Sequence, residues 1–395
     1  MLTDKTIVLG ITGSIAAYKA ADIASRLVKE GAKVEVVMTE AASWFIAPLA
    51  LRSITGRGVV TDMFDPESER TLEHIALAEA ADVVVIAPAT ASLIAKLAAG
   101  IADEMPALVV LATKAPIILA PAMNVNMYQN AVTQQNLAKL KARGFIVIEP
   151  ERGRLASGRV GMGRLADTEK IIGTIRQVLG RKGDLSGKKL VVTAGGTQEP
   201  IDPVRHISNP SSGKMGYAIA EAARDRGAEV TLVSAPTLLP EPAGVKVVPI
   251  KTTVEMQKAV AKAVKGADAL IMAAAVTDYQ PRTIAKDKLK KDTASLELEL
   301  VRTPDILAEV KGDFIKIGFA AESNDIIANA KKKLKSKKLD LIVANDITAA
   351  DSGFGVDTNK VIIIDKQGKA EKLPLLSKRE VAERILDGVV GLVKR

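Results

Sequence analysis

The sequence predicts an α/β protein made of two tandem, doubly wound domains, each around a mainly parallel sheet. Three observations carry this. The chain has 395 residues, too many for one ordinary core and enough for two domains of roughly 180–200 residues. In both halves, short and nearly continuous Val/Ile/Leu runs alternate with longer amphipathic stretches, the pattern of a parallel sheet covered on both faces. Between the halves, Gly180-Arg181-Lys182-Gly183-Asp184-Leu185-Ser186-Gly187 is short, polar and Gly-rich, and reads as a linker. The expected division is residues 1–180, a linker over 181–187, and 188–395.

The elements follow in order. Thr6–Ile11 reads as a strand and Ile15–Glu30 as a helix, with further strands at Lys33–Met38 and Val83–Ala87. Ala91–Ala99 reads as a helix, Pro116–Ala120 as a strand, Asn126–Arg143 as a helix and Phe145–Ile148 as a strand. Glu149–Leu165 is rich in Gly and Arg and reads as a loop, before a helix over Asp167–Leu179. After the linker, strands are expected at Lys189–Thr193, Glu229–Ser234, Lys246–Pro249, Ala269–Ala273, Lys316–Phe319, Leu339–Ala344 and Lys360–Asp365. Helices are expected at Met215–Arg226, Thr253–Val264, Asp305–Val310, Asn324–Lys335 and Lys378–Leu392. This is the Rossmann or flavodoxin-like plan used twice.

Composition narrows the chemistry. There is no cysteine, which excludes disulfides, thiolate catalysis and Cys-ligated metals. The two histidines, His74 and His206, make a His-rich metal site a poor reading. Aromatics are 3% of residues, too few for a stacking platform for single-stranded nucleic acid. The net charge of +9 is concentrated in Lys286–Lys291 and Lys331–Lys338, and such patches attract small phosphorylated substrates as well as nucleic acid. No basic segment followed by an apolar core opens the chain, and Lys114, Pro116 and Pro121 break the apolar stretch 107–123. A cytoplasmic protein is expected.

In the first half, Gly10-Ile11-Thr12-Gly13-Ser14-Ile15 ends a strand and opens a helix. Gly13 permits a tight turn, and Ser14 can cap the helix or offer a hydroxyl to a phosphate. The glycine spacing is not that of a dinucleotide fingerprint. Ala87-Pro88-Ala89-Thr90-Ala91-Ser92 and Pro121-Ala122-Met123-Asn124-Val125-Asn126-Met127-Tyr128 follow later strands, where ligands sit in open α/β sheets. Small residues over 87–92 admit a flat ring, and Asn124 can orient a carboxylate. His74 lies near the start of a helix, and taken alone a solitary histidine is more often structural than catalytic.

The second half holds the most informative stretch, Gly195 to Gly216, a long loop of Gly, Ser, Pro and Asn between a strand and a helix. Such a loop offers backbone N–H groups and a helix N-terminus to an anion. It also carries Asp202, Arg205, Asn209, Ser211, Ser212, Gly213 and Lys214. Ala273-Ala274-Ala275-Val276-Thr277-Asp278 ends a buried strand, with Asp278 ten residues before Lys288. Lys333 and Lys337 lie four apart, on one face if helical.

Taken together, Gly13-Ser14, His74 in its Thr-x-x-His-Ile setting, 88–92 and Pro121-x-Met-Asn124-x-x-Met-Tyr128 resemble the flavin-containing cysteine decarboxylases. The second half resembles phosphopantothenate–cysteine ligase. Nearly end to end, the chain resembles the bifunctional decarboxylase–ligase family of coenzyme A biosynthesis. The resemblance implies FMN bound between the subunits of a trimer, with Gly13, Ser14, Thr39, Ala89, Thr90 and Ser92 around it. It makes His74 the base and has Asn124 hold the substrate carboxylate. Oxidation of the substrate thiol to a thioaldehyde would provide the electron sink for loss of carbon dioxide, and the enethiol would then be reduced. The family's substrate clamp carries a cysteine as the final proton source, and here Ser157 stands at that position. A hydroxyl is a far weaker acid. Ser157 or water suffices, another acid substitutes, or the reaction stalls at the enethiol and leaves a ligase alone.

For the ligase, the resemblance implies attack of the 4′-phosphopantothenate carboxylate on the α-phosphate of CTP, accompanied by Mg²⁺. Pyrophosphate leaves, and the amine of cysteine then displaces CMP. Asn209 would act on the acyl-cytidylate and Lys288 on the triphosphate. The loop 211–213, Ala273, Ala274, Ala275, Asp278, Pro304, Asp305, Ile306, Phe319, Lys333 and Lys337 would hold nucleotide and substrate. Trimeric decarboxylase units joined through ligase dimers would give a dodecamer. Two other classes compete: a Rossmann oxidoreductase, for which the glycines do not fit, and a basic nucleic-acid-binding protein without turnover.

Overall fold

The protein is described by a computed structural model covering residues 2–63, 73–156, 158–290, 296–322, 325–346 and 355–393. It forms two compact units, residues 1–179 and 180–395, each with its own sheet.

In the first unit β1 (Thr6–Ile11) leads through a 3₁₀ turn (Ile15–Lys19) into α1 (Ala20–Lys29). The expected helix over 15–30 thus opens as a 3₁₀ turn, which Ser14 caps through Ala16 N, and runs on through Lys19 in helical geometry into α1. Then come β2 (Lys33–Met38), α2 (Glu40–Ser43), α3 (Pro48–Thr55), β3 (Val59–Val60), α4 (Glu73–Ala80), β4 (Val83–Ala89), α5 (Ala91–Ala99) and α6 (Met105–Ala112). β5 (Ile117–Pro121) precedes α7 (Val125–Gln129) and α8 (Ala131–Ala142). The expected helix 126–143 breaks at Asn130, whose ψ of 132° is not helical and whose side chain caps α8 through Val132 N. β6 (Ile146–Val147), β7 (Glu151–Arg154), β8 (Val160–Arg164) and α9 (Thr168–Gly180) complete the unit. The supposed loop 149–165 is therefore an antiparallel hairpin, β7 against β8. Its glycines and arginines lack the period-two apolar signal because little of it is buried.

The main sheet runs β3-β2-β1-β4-β5-β6, all parallel. Alternate residues of β1 feed opposite faces. Ile7, Leu9 and Ile11 join one core with Ile23 and Ile175, while Val8 joins another with Leu93 and Leu137. Removing such side chains from water contributes about 1.5–3 kcal/mol each. The strand order reverses between β1 and β4, which opens a crevice beyond their carboxyl ends.

The second unit repeats the plan. It runs β9 (Lys189–Ala194), β10 (Gln198–Pro200), β11 (His206–Ser208), α10 (Lys214–Asp225), β12 (Glu229–Ser234), β13 (Lys246–Pro249), α11 (Thr253–Ala263) and β14 (Ala269–Met272). β15 (Tyr279–Pro281), β16 (Leu300–Arg302), α12 (Ile306–Glu309), β17 (Ile315–Glu322), α13 (Ile326–Ser336) and β18 (Leu341–Asp346) follow. Last are β19 (Thr358–Asn359), β20 (Val361–Asp365), β21 (Ala370–Lys372), β22 (Leu376–Ser377) and α14 (Lys378–Val393). The sheet order is β13-β12-β9-β14-β17-β18-β20-β21. It is parallel from β13 to β18 and closes with antiparallel β20 and β21. The switch point lies between β9 and β14. Leu185, within the stretch 181–187, is fully buried, and its N–H donates to Arg226 O at 3.0 Å. Among the described residues, no helix is long and apolar enough to cross a membrane.

Candidate functional site

The crevice of the first unit is built by loops leaving β1, β2 and β4. Thr12, buried at the end of β1, donates through Oγ1 to Pro88 O at 2.7 Å and accepts from Thr90 N at 3.0 Å. This one hydroxyl ties the two loops that face each other across the switch point. Thr39 caps α2 through Ala42 N, and Thr90 caps α5 through Leu93 N. Their caps point N–H-rich helix starts toward one place. Gly13 is required there by close approach: a Cβ on it would lie 2.5 Å from Ala41 Cβ.

The result is a cavity of about 370 Å³ that brings Gly13, Ser14, Thr39, Thr90 and Ser92 together, with Met123 and Met127 as its apolar side. Ser14 and Met123 also line an adjoining cavity of about 470 Å³, which adds Asn124, Tyr18, Arg154 and Arg164. Asn124 caps α7 through Asn126 N at 2.9 Å, which fixes its side chain at the cavity wall. Ala89 sits fully buried behind these walls. His74 lies on the first turn of α4, half-buried, and lines neither cavity. Ser157 lies outside the described residues. Tyr128 of the same motif is a structural donor: its hydroxyl bonds Glu149, and burial together with that carboxylate pushes its pKa up to about 12.

In the second unit the loops after β9 and β14 are stitched together. Gly196 bridges Ala275, Ala275 N donates to Gly195 O at 2.9 Å, and Asn209 Nδ2 donates to Val276 O at 3.1 Å. Beneath them lies a buried polar floor that periodicity could not reveal. Oε1 of Glu199 accepts from Thr253 N, Thr253 Oγ1 and Thr277 Oγ1 at 2.8–3.2 Å. Thr197 Oγ1 bonds both threonine hydroxyls and accepts from Thr277 N. Such a network fixes the backbone that presents Asp278.

Above this floor one cavity, of about 450 Å³, unites Ala274, Asp278, Pro304, Asp305, Ile306, Phe319, Lys333 and Lys337. Lys337 Nζ pairs with Asp305 at 3.0 Å, and Lys333 Nζ donates to Phe319 O at 2.8 Å. A second cavity, of about 290 Å³, unites Asn209, Ser211, Ser212, Gly213, Ala273 and Ala275 and shares Asp278, Phe319 and Lys333 with the first. Gly213 caps α10 at φ 76°, a conformation that favours glycine.

Lys288 is exposed and lines neither cavity. Its neighbour Leu289 is pinned, donating N–H to Asp202 at 3.2 Å and accepting from Arg205 at 2.8 Å. Asp202 and Arg205 thus anchor this segment. Burial pushes the Asp202 carboxyl up. Arg205 and the N–H groups of Val204, Arg205 and Leu289 outweigh that and hold it well below the usual carboxylate range.

Two family models divide the chain at the same seam. Residues 1–180 match the flavoprotein family, and residues 185–392 match the C-terminal domain of the DNA/pantothenate metabolism flavoproteins. The coenzyme A biosynthesis bifunctional protein CoaBC of Bacillus subtilis is 44% identical over all of this chain and 99% of its own length. That of Vibrio cholerae is 44% identical over 98% of each. The chain belongs to the CoaBC family. It is a bifunctional enzyme of coenzyme A biosynthesis, a phosphopantothenoylcysteine decarboxylase and phosphopantothenate–cysteine ligase. Among solved structures, the C-terminal domain of a CoaBC protein is 41% identical, covering 54% of this chain and 98% of its own, with a TM-score of 0.47. With the family established, the oxidoreductase and nucleic-acid-binding readings fall away.

Proposed function

We propose that the paired cavities of the first unit decarboxylate and those of the second unit ligate. One observation carries this: in each unit, loops rich in Gly, Ser and Thr meet across the strand-order reversal and enclose a cavity bearing the polar groups that its half-reaction needs.

The residues around the smaller cavity of the first unit fit FMN. Ser14, Thr39, Thr90 and Ser92 offer hydroxyls and helix starts to a phosphate, and Ala122, Met123 and Met127 offer an apolar face to a flat ring. Bound there, FMN supplies the two-electron oxidation and reduction that decarboxylation requires. Asn124 holds the substrate carboxylate in the adjoining cavity, with Arg154 and Arg164 on its wall. His74 moves the proton, and its place on α4 has it serve the cavity of a neighbouring copy in a trimer.

In the second unit, Mg²⁺–CTP occupies the cavity of Asp305, Lys333 and Lys337, with Asp278 on the nucleotide and Lys288 reaching the triphosphate. The phosphopantothenate carboxylate oxygen attacks the α-phosphorus and the bond to pyrophosphate breaks. The amine of cysteine then attacks the acyl carbon beside Asn209 and CMP leaves. Trimers of the first unit joined by dimers of the second give a dodecamer.

The test is one reaction: purified protein, FMN, 4′-phosphopantothenate, cysteine, CTP and Mg²⁺, read by mass spectrometry. Phosphopantetheine is expected. A product two hydrogens lighter would show the final reduction failing at Ser157. Phosphopantothenoylcysteine alone would refute the assignment of the first unit's cavities.

A further inference from the structure

The two cavities of the second unit share a wall of Ala274, Val276, Asp278, Phe319 and Lys333. Away from that wall they diverge. One runs to Arg302, Asp305 and Lys337. The other runs under the start of α10 to Asn345, Asn359 and Lys378, residues with no part in the chemistry described so far.

Lys378 opens α14 and is 7% exposed. Its ammonium donates to the carbonyls of Val356 and Thr358. Burial pushes its pKa down, and Lys214 lowers it further against the opposing pull of Asp357. Lys214 lines the same cavity, bonded to Asp357 at 2.7 Å and to Gly355 O at 2.9 Å. Among the described lining residues, three lysines (214, 333 and 378) face one carboxylate, Asp278. Holding like charges together in a partly dehydrated pocket costs free energy, which a bound anion offsets. Asn359, 3% exposed, adds a buried amide to the same wall.

The reaction says which anion. Phosphopantothenate is a carboxylate at one end and a phosphate monoester at the other. Its carboxylate must meet the nucleotide α-phosphate at the shared wall, so its phosphate must lie away from the nucleotide. We propose that Lys378, with Asn345 and Asn359, forms the subsite for the phosphate monoester of the pantothenate substrate and sets the preference for the phosphorylated acid. This rests on the reading that the cavity of Asp305 and Lys337 takes CTP.

The full-length enzyme is assayed by pyrophosphate release, with phosphopantothenate, pantothenate and CTP varied in turn. Lys378→Gln should raise KM for phosphopantothenate about 10- to 100-fold, the range for one lost hydrogen bond to a charged group. KM for CTP should stay within about twofold, the preference over pantothenate should shrink by the same factor, and Lys378→Arg should restore most of it. A rise in KM for CTP instead would place the triphosphate there and overturn the proposal, as would an unchanged preference over pantothenate. If the glutamine variant does not fold, inorganic phosphate decides with the wild type. Competition with phosphopantothenate and not with CTP supports the subsite; competition with CTP overturns it. Wild-type enzyme that releases no pyrophosphate from CTP would sink the nucleotide reading itself, a separate result.

Discussion

Asp202 shows how a residue's type can mislead about its task. It sits in polar, Gly-rich sequence that suggests ligand contact. Yet Asp202 is fully enclosed by Arg205 and three N–H groups, and its work is to hold Leu289 beside Lys288. Because the folded carboxyl lies below its ordinary value, its contribution to stability is fully present above pH of about 3.9 and is lost as pH falls through the folded value. Asp202→Asn should therefore melt at a lower temperature than wild type at pH 7, with the gap closing in strong acid. Parallel pH–stability curves would show that the anchor carries no such weight. The hydroxyl of Thr12 was equally hidden: a threonine before Gly13 reads as part of a turn, and only the fold brings Pro88 and Thr90 to it.

At the scale of elements, strands were the most legible. β1, β2 and β12 run over the very residues their apolar runs predict, because strands buried on both faces need continuous hydrophobicity. Helix α6 was missed, since it is apolar all round (Met105, Pro106, Ala107, Val109 and Val110 are all buried) and shows no period to read. The hairpins β7–β8 and β15–β16 were missed for the opposite reason, being largely polar or exposed. The close packing of the β1 turn on the 39–43 segment gives a test. Gly13→Ala would place a Cβ 3.1 Å from the backbone carbon of Ala41 as well as 2.5 Å from its Cβ. The strain should cost about 1–3 kcal/mol, and the purified protein should lose most of its flavin absorbance. Undiminished flavin content would separate this turn from the cofactor.

For the whole molecule, the fate of the segment between the halves is a physical question. Leu185 is fully buried and the backbone around it bonds Arg226, so the stretch behaves as part of the second unit's core. A second unit beginning at Gly180 should resist urea better than one beginning at Lys188, by about 2–5 kcal/mol for the lost leucine. Equal midpoints would return the stretch to the role of a tether. Assembly offers another test. His74→Asn and Asn124→Asp chains, each expected to be inactive in carbon dioxide release, should recover part of that activity when refolded together, if His74 serves a neighbouring copy. No recovery at any mixing ratio would place base and carboxylate holder on one chain.

The sequence by itself determined the class of fold, the two-part division and the family. These rest on hydrophobic periodicity and on motif order, which are written along one dimension. The tertiary structure alone decided which polar groups share a cavity. It set Lys378 and Ser211 on one cavity, gave Glu199 two threonine hydroxyls and left His74 off the wall where Asn124 stands. Such groupings depend on strand order and on which loops a sheet brings to one edge. Partners there lie tens of residues apart, and local pattern carries no record of them.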